Sequence, residues 1–397
     1  MGTLSDRLNR LSESQTLAMT RKSRELSAKG VDVINLSIGE PDFDTPEVIK
    51  NAAKAAIDDN ITHYSPVPGF PELRDAISKK FQRDNNLEYP PDHIVVSTGA
   101  KQSIANVILS LVNPGDEVLL PAPYWVSYLE MIKLAEGTPI TISSSIENDF
   151  KISAEQVKNA ITDKTRLIIF SSPCNPTGTI YSKDELREIA QVVAEHNDVY
   201  IISDEIYEHI IYEGKHVSIA EFDFIKEQVI TVNGVSKGFA MTGWRIGYIG
   251  APEWIVKACI KIQGQFTSGA STISQKAAET AILMPPKSTE EMCQIFHKRR
   301  DLLLDLLNEI PGVTSNTPPG AFYVFPNISF YFGKNYEGEE IKSAGDLAMF
   351  LLKEANVAIV TGEAFGEPNH IRISYACSEE TLKEAIARIK VALEKLK

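Results

Sequence analysis

Short apolar runs alternate along the chain with segments that have helical periodicity. Several runs are apolar without a two-residue alternation, and such runs predict strands buried on both faces. They lie at 94–97, 117–120, 167–170, 199–202 and 229–232. Helical segments lie between several of these runs, and no internal repeat interrupts them. This pattern predicts an α/β fold in which helices cover a largely parallel sheet.

Two of the predicted helices carry start signals. Ser182 and Glu185 have the spacing of a capping box, in which each side chain binds the other residue's backbone N–H. Thr45 followed by Pro46 predicts a second helix start, with a threonine cap and a first-turn proline. Both signals precede apolar positions at helical spacing, so we expect each helix to cover the sheet.

Pro285 and Pro286 interrupt the helical pattern that begins near Ser271, and a long charged helix follows to about Glu309. Beyond it the pattern predicts an α+β arrangement. Its strands are expected near 320–324, 357–360 and 370–374, and its helices at 344–356 and at the end of the chain. We therefore place a domain boundary at 285/286, and a length of 397 residues agrees with two domains.

Polar segments directly follow four of the predicted strands. They lie at 99–102, 172–178, 204–207 and 234–237. In open parallel sheets, ligands bind beyond the carboxyl ends of the strands. The sequence therefore predicts that these segments line one crevice.

Three residues in or near these segments have side chains that suit chemical groups of the cofactor pyridoxal phosphate (PLP). Asp204, at the end of an apolar run, offers a carboxylate for a pyridinium nitrogen, and Lys237 offers an amine for the aldehyde. Arg245 offers a guanidinium for the phosphate. Taken alone, Asp204 would equally suit the N-cap of a helix.

A phosphate would also find donors at the segment that begins with Gly99. Gly99 stands between a predicted strand and a predicted helix, so the backbone N–H groups of Ala100 and Lys101 can point at an anion from the helix N-terminus. Ser236, next to Lys237, adds a hydroxyl. Without these neighbours, a glycine at a strand-to-helix turn would be a plain connector.

The motifs occur in a fixed order over nearly the whole chain. They are SIGEPDF at 37–43, YSPVPG at 64–69, GAKQ at 99–102, PYWVSY at 123–128, NPTG at 175–178, SDEIY at 203–207, NGVSKGFAMTGWRIG at 233–247, GAFY at 320–323 and HIRISY at 370–375. In this order they resemble the class I aminotransferases, which are fold-type-I PLP-dependent enzymes. The resemblance is strongest to the bacterial-type aspartate aminotransferase branch, which includes aspartate/prephenate aminotransferases.

The resemblance implies an α/β fold with two domains. The large PLP-binding domain, 47–285, would hold a mostly parallel seven-stranded sheet between helices. The smaller α+β domain would combine an N-terminal arm, 1–46, with 286–397. The resemblance also implies a homodimer with shared active sites, in which Tyr64 reaches the phosphate bound by the neighbouring subunit.

The resemblance also implies roles around the cofactor ring. Lys237 would hold the cofactor and then move a proton from the substrate Cα, while Asp204 keeps the ring nitrogen protonated. Asn175 and Tyr207 would form hydrogen bonds with the ring hydroxyl. Trp125 would stack on the ring face and contact the substrate; without the resemblance it would be an ordinary core tryptophan.

Substrate recognition would rest on carboxylate binding. Arg372 would clamp the α-carboxylate with help from the Gly39 backbone and Asn175, although an arginine alternating with Ile371 and Ile373 would equally suit a surface-facing strand. A distal carboxylate would be bound by Lys101 and Thr16. Ser14 lies nearby in the sequence and joins this substrate-binding set.

These roles imply a ping-pong transfer from L-aspartate to 2-oxoglutarate, which gives oxaloacetate and L-glutamate. A glutamate/aspartate-prephenate aminotransferase stays open, because prephenate also carries a distal carboxylate, and so does a broad aromatic or alanine aminotransferase. An alternative of another class is a PLP-binding regulator or an inactive scaffold. Such regulators usually carry a basic DNA-binding domain ahead of this fold, whereas a short N-terminal arm precedes Gly39 here.

The composition of the chain argues against several kinds of partner. A formal net charge of -13 argues against a nucleic-acid partner, since backbone binding needs clustered Lys and Arg. The four cysteines form no CxxC pair, so we expect reduced thiols, no metal site and a cytoplasmic location. No stretch of about 20 residues is apolar enough to span a bilayer, and we expect no membrane partner.

Overall fold

The computed structural model of the chain describes residues 4–13 and 15–397. Within them the helices are α1 (Asp6–Asn9), α2 (Gln15–Ala28), α3 (Glu47–Asp58), α4 (Pro71–Asn85), α5 (Ala100–Leu111), α6 (Val126–Leu134), α7 (Ala154–Ala160), α8 (Lys183–Ala194), α9 (Glu253–Phe266), α10 (Thr272–Leu283), α11 (Glu290–Asn308), α12 (Ala344–Glu354) and α13 (Glu379–Leu393). The strands are β1 (Ile34–Asn35), β2 (Ile94–Ser97), β3 (Glu117–Ala122), β4 (Thr138–Ser143), β5 (Thr165–Ser171), β6 (Tyr200–Asp204), β7 (Val229–Gly234), β8 (Gly247–Gly250), β9 (Tyr323–Val324), β10 (Asn335–Tyr336), β11 (Glu339–Glu340), β12 (Val357–Ala358), β13 (Val360–Thr361) and β14 (Ile371–Ser374).

A seven-stranded sheet forms the centre, with the order β2-β8-β7-β6-β5-β3-β4. Strands β4, β3, β5, β6 and β7 are parallel, while β8 runs antiparallel to both of its neighbours, β2 and β7. The predicted α/β fold with a mostly parallel sheet is confirmed. All five apolar runs form strands of this sheet.

The sequence pattern missed two strands of the sheet. β8 has the sequence GYIG, which lacks an apolar run, and β4 lies at the sheet edge with only one buried position, Ile142. Gly247 of β8 packs directly against the start of α5, where a Cβ would overlap the Ala100 backbone nitrogen. That close approach explains why the strand begins with glycine rather than with an apolar side chain.

Helices cover both faces of the sheet. Ile201 and Ile202, whose side chains point to opposite faces of β6, are both fully buried. Ile201 belongs to the apolar cluster on one face and Ile202 to the cluster on the other. This double burial explains the uninterrupted apolar runs of the central strands.

The two predicted helix starts had different outcomes. The capping box of α8 is confirmed: Ser182 Oγ accepts from the Glu185 N–H at 3.3 Å, and Glu185 Oε2 accepts from the Ser182 N–H at 2.6 Å. The prediction for Thr45 is wrong, because Pro46 occupies the N-cap of α3 and makes no side-chain cap. The Thr45 hydroxyl instead donates to the Ala240 carbonyl at 2.7 Å, which ties this segment to the chain that follows Lys237.

The predicted break near Pro285 is confirmed, since α10 ends at Leu283 and α11 begins at Glu290 after a short 3-10 turn. Strands β13, β14 and β9 form a small antiparallel sheet, while β1 pairs in parallel with β12. Met19 and Leu36, from the start of the chain, lie in one apolar cluster with residues of α11, α12 and α13. This packing supports the division that we propose, in which 1–46 and 286–397 form one domain beside 47–285.

No helix in the described ranges 4–13 and 15–397 is both long enough and apolar enough to cross a membrane.

Candidate active site

A cavity of about 280 Å³ lies at the carboxyl end of the central sheet. Asp204 enters it from the end of β6, Ser236 and Lys237 from the segment after β7, and Asn175 from the segment after β5. Ala100, the first residue of α5, completes the set from the turn after β2. The segments that the sequence placed after four strands therefore meet at one cavity, as parallel topology predicts.

Twelve residues named from the sequence line this cavity. They are Thr16, Gly39, Ala100, Lys101, Trp125, Asn175, Asp204, Tyr207, Ser236, Lys237, Arg245 and Arg372. Gly99 lies directly behind it, because a Cβ at this position would overlap the Arg245 guanidinium. Tyr64 is 99% exposed and does not line the cavity of its own chain, and Ser14 lies outside the described residues.

Asp204 supplies a buried carboxylate to the cavity. It is 4% exposed, and its Oδ2 accepts a hydrogen bond from the Tyr128 hydroxyl at 2.7 Å. Burial raises the pKa of Asp204 to about 6, although the hydrogen bonds from Tyr128 and from the Ile206 N–H oppose the rise. No helix begins at Asp204, since 206–209 form a turn, so the alternative of a helix N-cap is wrong.

Lys237 supplies an amine that loses its proton more readily than an ordinary lysine does. Burial lowers the pKa of Lys237 to about 8; Arg372 and Arg245 add to this effect, whereas Glu40 and Asp204 oppose it. Lys237 Nζ donates to the Gly39 carbonyl and lies 5.8 Å from the Tyr207 ring centroid. A lysine with a lowered pKa in a protein cavity has the properties of a nucleophile or a general base.

One end of the cavity is arranged to bind an anion. Arg245 holds a left-handed backbone conformation (φ 58°), and its Nη1 donates to the Thr242 carbonyl at 2.9 Å. The N-terminus of the 12-residue α5 lies beside it, and Ser236 adds a hydroxyl. A guanidinium beside the free N–H groups of a helix start is a favourable site for a phosphate.

Arg372 supplies a second, deeply buried cation. It is 2% exposed and has no carboxylate partner among the described residues. Its Nη1 donates to Asn175 Oδ1 at 2.9 Å and its Nη2 to the Ser37 carbonyl at 2.6 Å, while its Nε has no partner there. A buried guanidinium without a counter-ion is costly, so this geometry favours an anionic ligand. The alternative of a surface-facing arginine is wrong.

Lys101 supplies a third cation, at the open side of the cavity. Its ammonium group lies 5.0 Å from the centre of the Trp125 ring, and it makes no ion pair within the described part of the chain. Partial burial of the ammonium group and the charge of Arg245 lower the pKa of Lys101. Thr16, from the start of α2, lines the same cavity.

Two tyrosines of the cavity wall were not assigned a role from the sequence. Tyr128 binds Asp204, as described above, and Tyr323 places its hydroxyl 2.9 Å from the Tyr207 hydroxyl. Tyr128 lies three residues after Trp125, a helical spacing that puts both side chains on one face and was available as a signal. No spacing in the sequence links Tyr323 to Tyr207.

Comparisons with known proteins agree with this geometry. The sequence pattern of the family "Aminotransferase class I and II" matches residues 31–389. A bifunctional aspartate aminotransferase and glutamate/aspartate-prephenate aminotransferase from Petunia hybrida is 48% identical over 399 residues, covering 99% of this chain and 83% of the plant protein. The aspartate aminotransferase of Bacillus subtilis is 46% identical over 394 residues, covering 99% of both chains.

A solved structure gives the same result for the fold. The crystal structure of an aspartate aminotransferase from Rhizobium meliloti aligns with a TM-score of 0.96 at 42% identity, and the alignment covers 100% of each chain. The family that the motifs predicted is thereby confirmed, together with its fold. The chain belongs to the class I and II aminotransferases, enzymes that move amino groups between amino acids and 2-oxo acids.

Proposed function

We propose that this aminotransferase binds PLP in the cavity and transfers the amino group of L-aspartate to 2-oxoglutarate, giving oxaloacetate and L-glutamate. One observation carries the proposal. Arg245, Lys101 and Arg372 present three positive charges to one cavity, and none of them has an acidic partner among the described residues. A phosphate and the two carboxylates of a dicarboxylic substrate would neutralise these charges.

The residues present fit PLP, the cofactor of this family. Arg245, the start of α5 and Ser236 suit its phosphate, while the Asp204 carboxylate suits a protonated ring nitrogen. Lys237 would bind the aldehyde carbon. When bound, PLP supplies a ring that accepts electrons and so stabilises negative charge at the substrate Cα.

Each residue then has a defined task. Lys237 holds the cofactor and, once the substrate amine has displaced it, moves the proton that leaves the substrate Cα; its pKa of about 8 leaves part of the amine neutral at neutral pH. Asp204 keeps a negative charge beside the ring nitrogen. Tyr207 and Asn175 are proposed to bind the ring hydroxyl, and Trp125 to stack on the ring.

Selectivity for dicarboxylic substrates is proposed to follow from two further cations of the cavity lining, Arg372 and Lys101. Arg372 is proposed to bind the α-carboxylate, with the backbone of Gly39 beside it, and Lys101 with Thr16 to bind the distal one. The name of the Petunia relative, which includes both aspartate and prephenate, supports the same pocket chemistry. Prephenate is therefore the second candidate substrate, because its distal carboxylate would meet the same lysine.

We also propose a homodimer with shared active sites. The segment 64–69 is held firmly: Gln275 Nε2 donates to Ser65 Oγ at 2.9 Å, and Gln263 Nε2 donates to the Val67 carbonyl at 2.8 Å. This anchored segment presents Tyr64 with 99% of its side chain exposed. In the proposed dimer, a second copy of the chain would cover Tyr64. Tyr64 would then reach the phosphate bound in the site of that second copy. A cytoplasmic location stays a prediction of the sequence.

Borohydride labelling tests the cofactor site. Purified protein loaded with PLP is reduced with borohydride and digested, and the labelled peptide is mapped by mass spectrometry. We expect the label on Lys237, with none on Lys237→Ala protein, and a visible absorption band that bleaches on addition of aspartate. A label on any other lysine, or a band that no amino acid changes, would contradict the proposal and favour a regulator or scaffold.

A further inference from the structure

Tyr323 lies in the cavity wall between two residues to which the proposed function assigns roles. Its hydroxyl is 2.9 Å from the Tyr207 hydroxyl, and its ring lies against the Arg372 guanidinium, 4.5 Å from the ring centroid. The side chain is fully buried in β9, which pairs with the strand that carries Arg372. One side chain thus contacts both the proposed ring-binding tyrosine and the proposed carboxylate-binding arginine.

We propose that Tyr323 is a positioning residue with two separable roles. Its hydroxyl donates a hydrogen bond to the Tyr207 oxygen, so that the proton of Tyr207 stays available to a ligand in the cavity. Its ring face supports the Arg372 cation in the orientation that binds a carboxylate. This inference rests on the proposed function and gives a role to a residue that the GAFY motif contains but to which the sequence assigned none.

Either hydroxyl could donate in this geometry, and we assign the donor from the groups around the two hydroxyls. Burial raises the pKa of Tyr323, but the Arg372 cation opposes that rise. Burial raises the pKa of Tyr207 well above its ordinary value and Tyr323 raises it further, so that the opposing charge of Arg372 does not cancel the rise. The more acidic hydroxyl is the better donor, so Tyr323 donates and Tyr207 accepts. Among the described residues, the Tyr207 hydroxyl has no other hydrogen-bond partner.

The surrounding backbone keeps the Tyr323 hydroxyl in this position. A Cβ at Gly39 would lie 2.6 Å from the Tyr323 hydroxyl oxygen, so the Gly39 backbone packs directly against it. The hydroxyl therefore contacts both the Gly39 backbone and the Tyr207 hydroxyl. This packing favours a single orientation of the Tyr323 side chain over several rotamers, and so it favours a fixed hydrogen bond.

The ring role follows from the surroundings of Arg372. The guanidinium lies near two aromatic rings, 4.5 Å from the Tyr323 centroid and 5.2 Å from the Phe365 centroid. Aromatic faces attract cations most strongly where water is excluded. Since Arg372 has no carboxylate partner in the described ranges, the Tyr323 face compensates part of its lost hydration and holds its plane.

Replacing Tyr323 with phenylalanine tests the hydroxyl alone, because the ring stays. The readout is the pH midpoint at which the absorption band of the PLP-loaded protein shifts. A hydrogen bond from Tyr207 to the ring hydroxyl favours the ionised oxygen and lowers this midpoint. Loss of the Tyr323 donor makes Tyr207 a weaker donor, so the midpoint should rise by about 0.5 pH unit.

The charged and titratable groups around this centre are Asp204, Arg245, Arg372 and Glu40, and Tyr323→Phe leaves all of them in place. Tyr375→Phe is the matched control, since Tyr375 is also fully buried and its hydroxyl lies 3.1 Å from that of Tyr212, outside the cavity lining. The control should titrate like the wild type. An unchanged midpoint in Tyr323→Phe, or a lower one, overturns the hydroxyl role.

Comparing Tyr323→Phe with Tyr323→Leu tests the ring. The probe is maleate, a dicarboxylate without an amino group, titrated into PLP-loaded protein and followed by the change in the absorption band. Phenylalanine should keep maleate affinity within about twofold, whereas leucine should weaken it roughly threefold to thirtyfold, because the cation loses its aromatic face. Equal affinities in the two variants overturn the ring role.

The same experiments separate this inference from the function on which it rests. If wild-type protein forms no absorption band with PLP, the proposed function fails and the role of Tyr323 fails with it. If the wild type binds PLP and maleate normally while the variants behave as the wild type does, only the inference about Tyr323 fails. Thermal unfolding of each variant checks that its fold is retained.

Discussion

The Tyr128 hydroxyl lies 2.7 Å from Asp204 Oδ2 and donates a hydrogen bond to it. Both residues are buried, and the bond joins the first turn of α6 to the end of β6. A donor to a carboxylate favours its ionised form, and Asp204 needs such help because burial raises its pKa to about 6. Tyr128 therefore helps to keep the negative charge that a protonated ring nitrogen would require.

The variant Tyr128→Phe should bind PLP roughly tenfold to a hundredfold more weakly, which corresponds to one hydrogen bond to a charged group. The ring of Tyr128 packs edge-on against Trp125 at 5.3 Å, and phenylalanine preserves that contact. Equilibrium dialysis of apoprotein with PLP measures the change. Tyr89→Phe serves as the control, because it removes a buried hydroxyl that bonds Thr231 at 3.1 Å, away from the cavity. Similar losses in both variants would contradict a specific role for Tyr128.

The pH dependence of cofactor binding should report Asp204. In Lys237→Ala protein, where attachment is non-covalent, PLP affinity should fall as the pH is lowered through about 6, because protonation removes the carboxylate charge. Asp204→Asn in the same background should bind weakly and lose this component. The phosphate of PLP titrates in a similar range in both proteins, so the difference between the two profiles isolates Asp204. Parallel profiles would rule out this carboxylate as the titrating group.

Lys101 should control the choice between dicarboxylic and aromatic substrates. Lys101→Ser is expected to lower kcat/KM for aspartate by about tenfold to a hundredfold, the value of a charge-assisted hydrogen bond, with a much smaller effect on phenylalanine. Lys101→Arg keeps the charge and should retain more aspartate activity than the serine variant. Equal losses with aspartate and phenylalanine would refute a role for Lys101 in binding a distal carboxylate.

Hybrid dimers should reveal whether Tyr64 serves the neighbouring subunit. Co-expressed subunits with different affinity tags, one carrying Lys237→Ala and the other Tyr64→Ala, are purified by both tags. If Tyr64 crosses the interface, one site of each hybrid carries both changes and the other carries neither. Activity at limiting PLP should then reach about half that of wild type.

A second hybrid provides the control for Tyr64. When both changes lie on one subunit and its partner is wild type, no site keeps both Lys237 and Tyr64, and activity at limiting PLP should stay low. The reverse order of activities would place Tyr64 in its own subunit's site. A chain that stays monomeric in light scattering would contradict the shared site directly.

A buried ion pair between Lys80 and Glu208 should matter for stability. Burial by itself would raise the pKa of Glu208, but the charges of Lys80, His209 and His216 lower it below the ordinary range, so the carboxylate stays ionised. Lys80→Met removes the main cation and should destabilise the protein by about 3–5 kcal/mol, because it leaves a buried charge uncompensated. Denaturant unfolding measures the loss. Lys80→Met combined with Glu208→Leu should recover much of it, whereas additive losses would argue against coupling.

The sequence alone determined the class of fold and most of the cavity. Strands buried on both faces, such as the one that contains Ile201 and Ile202, have uninterrupted apolar runs. This local property can be recognised in the sequence without knowledge of the fold. Lys237 and Asp204 could be placed because each follows such a run, and parallel topology brings the ends of those runs together. The sequence pattern did not predict two strands, because their local signal is weak: β8 is rich in glycine, and β4 lies at an edge of the sheet.

Only the tertiary structure decided which polar groups meet. Tyr128 and Asp204 are 76 positions apart, and Arg372 and Asn175 are 197 apart, so no local periodicity links them. Thr45 has the residue type of a helix cap, yet its hydroxyl binds Ala240, because packing of the two segments offers a better partner. The burial of Arg372 without a counter-ion likewise depends on several segments closing around it. Local pattern reports whether a segment is buried, whereas the pairing of individual atoms follows from how distant segments pack.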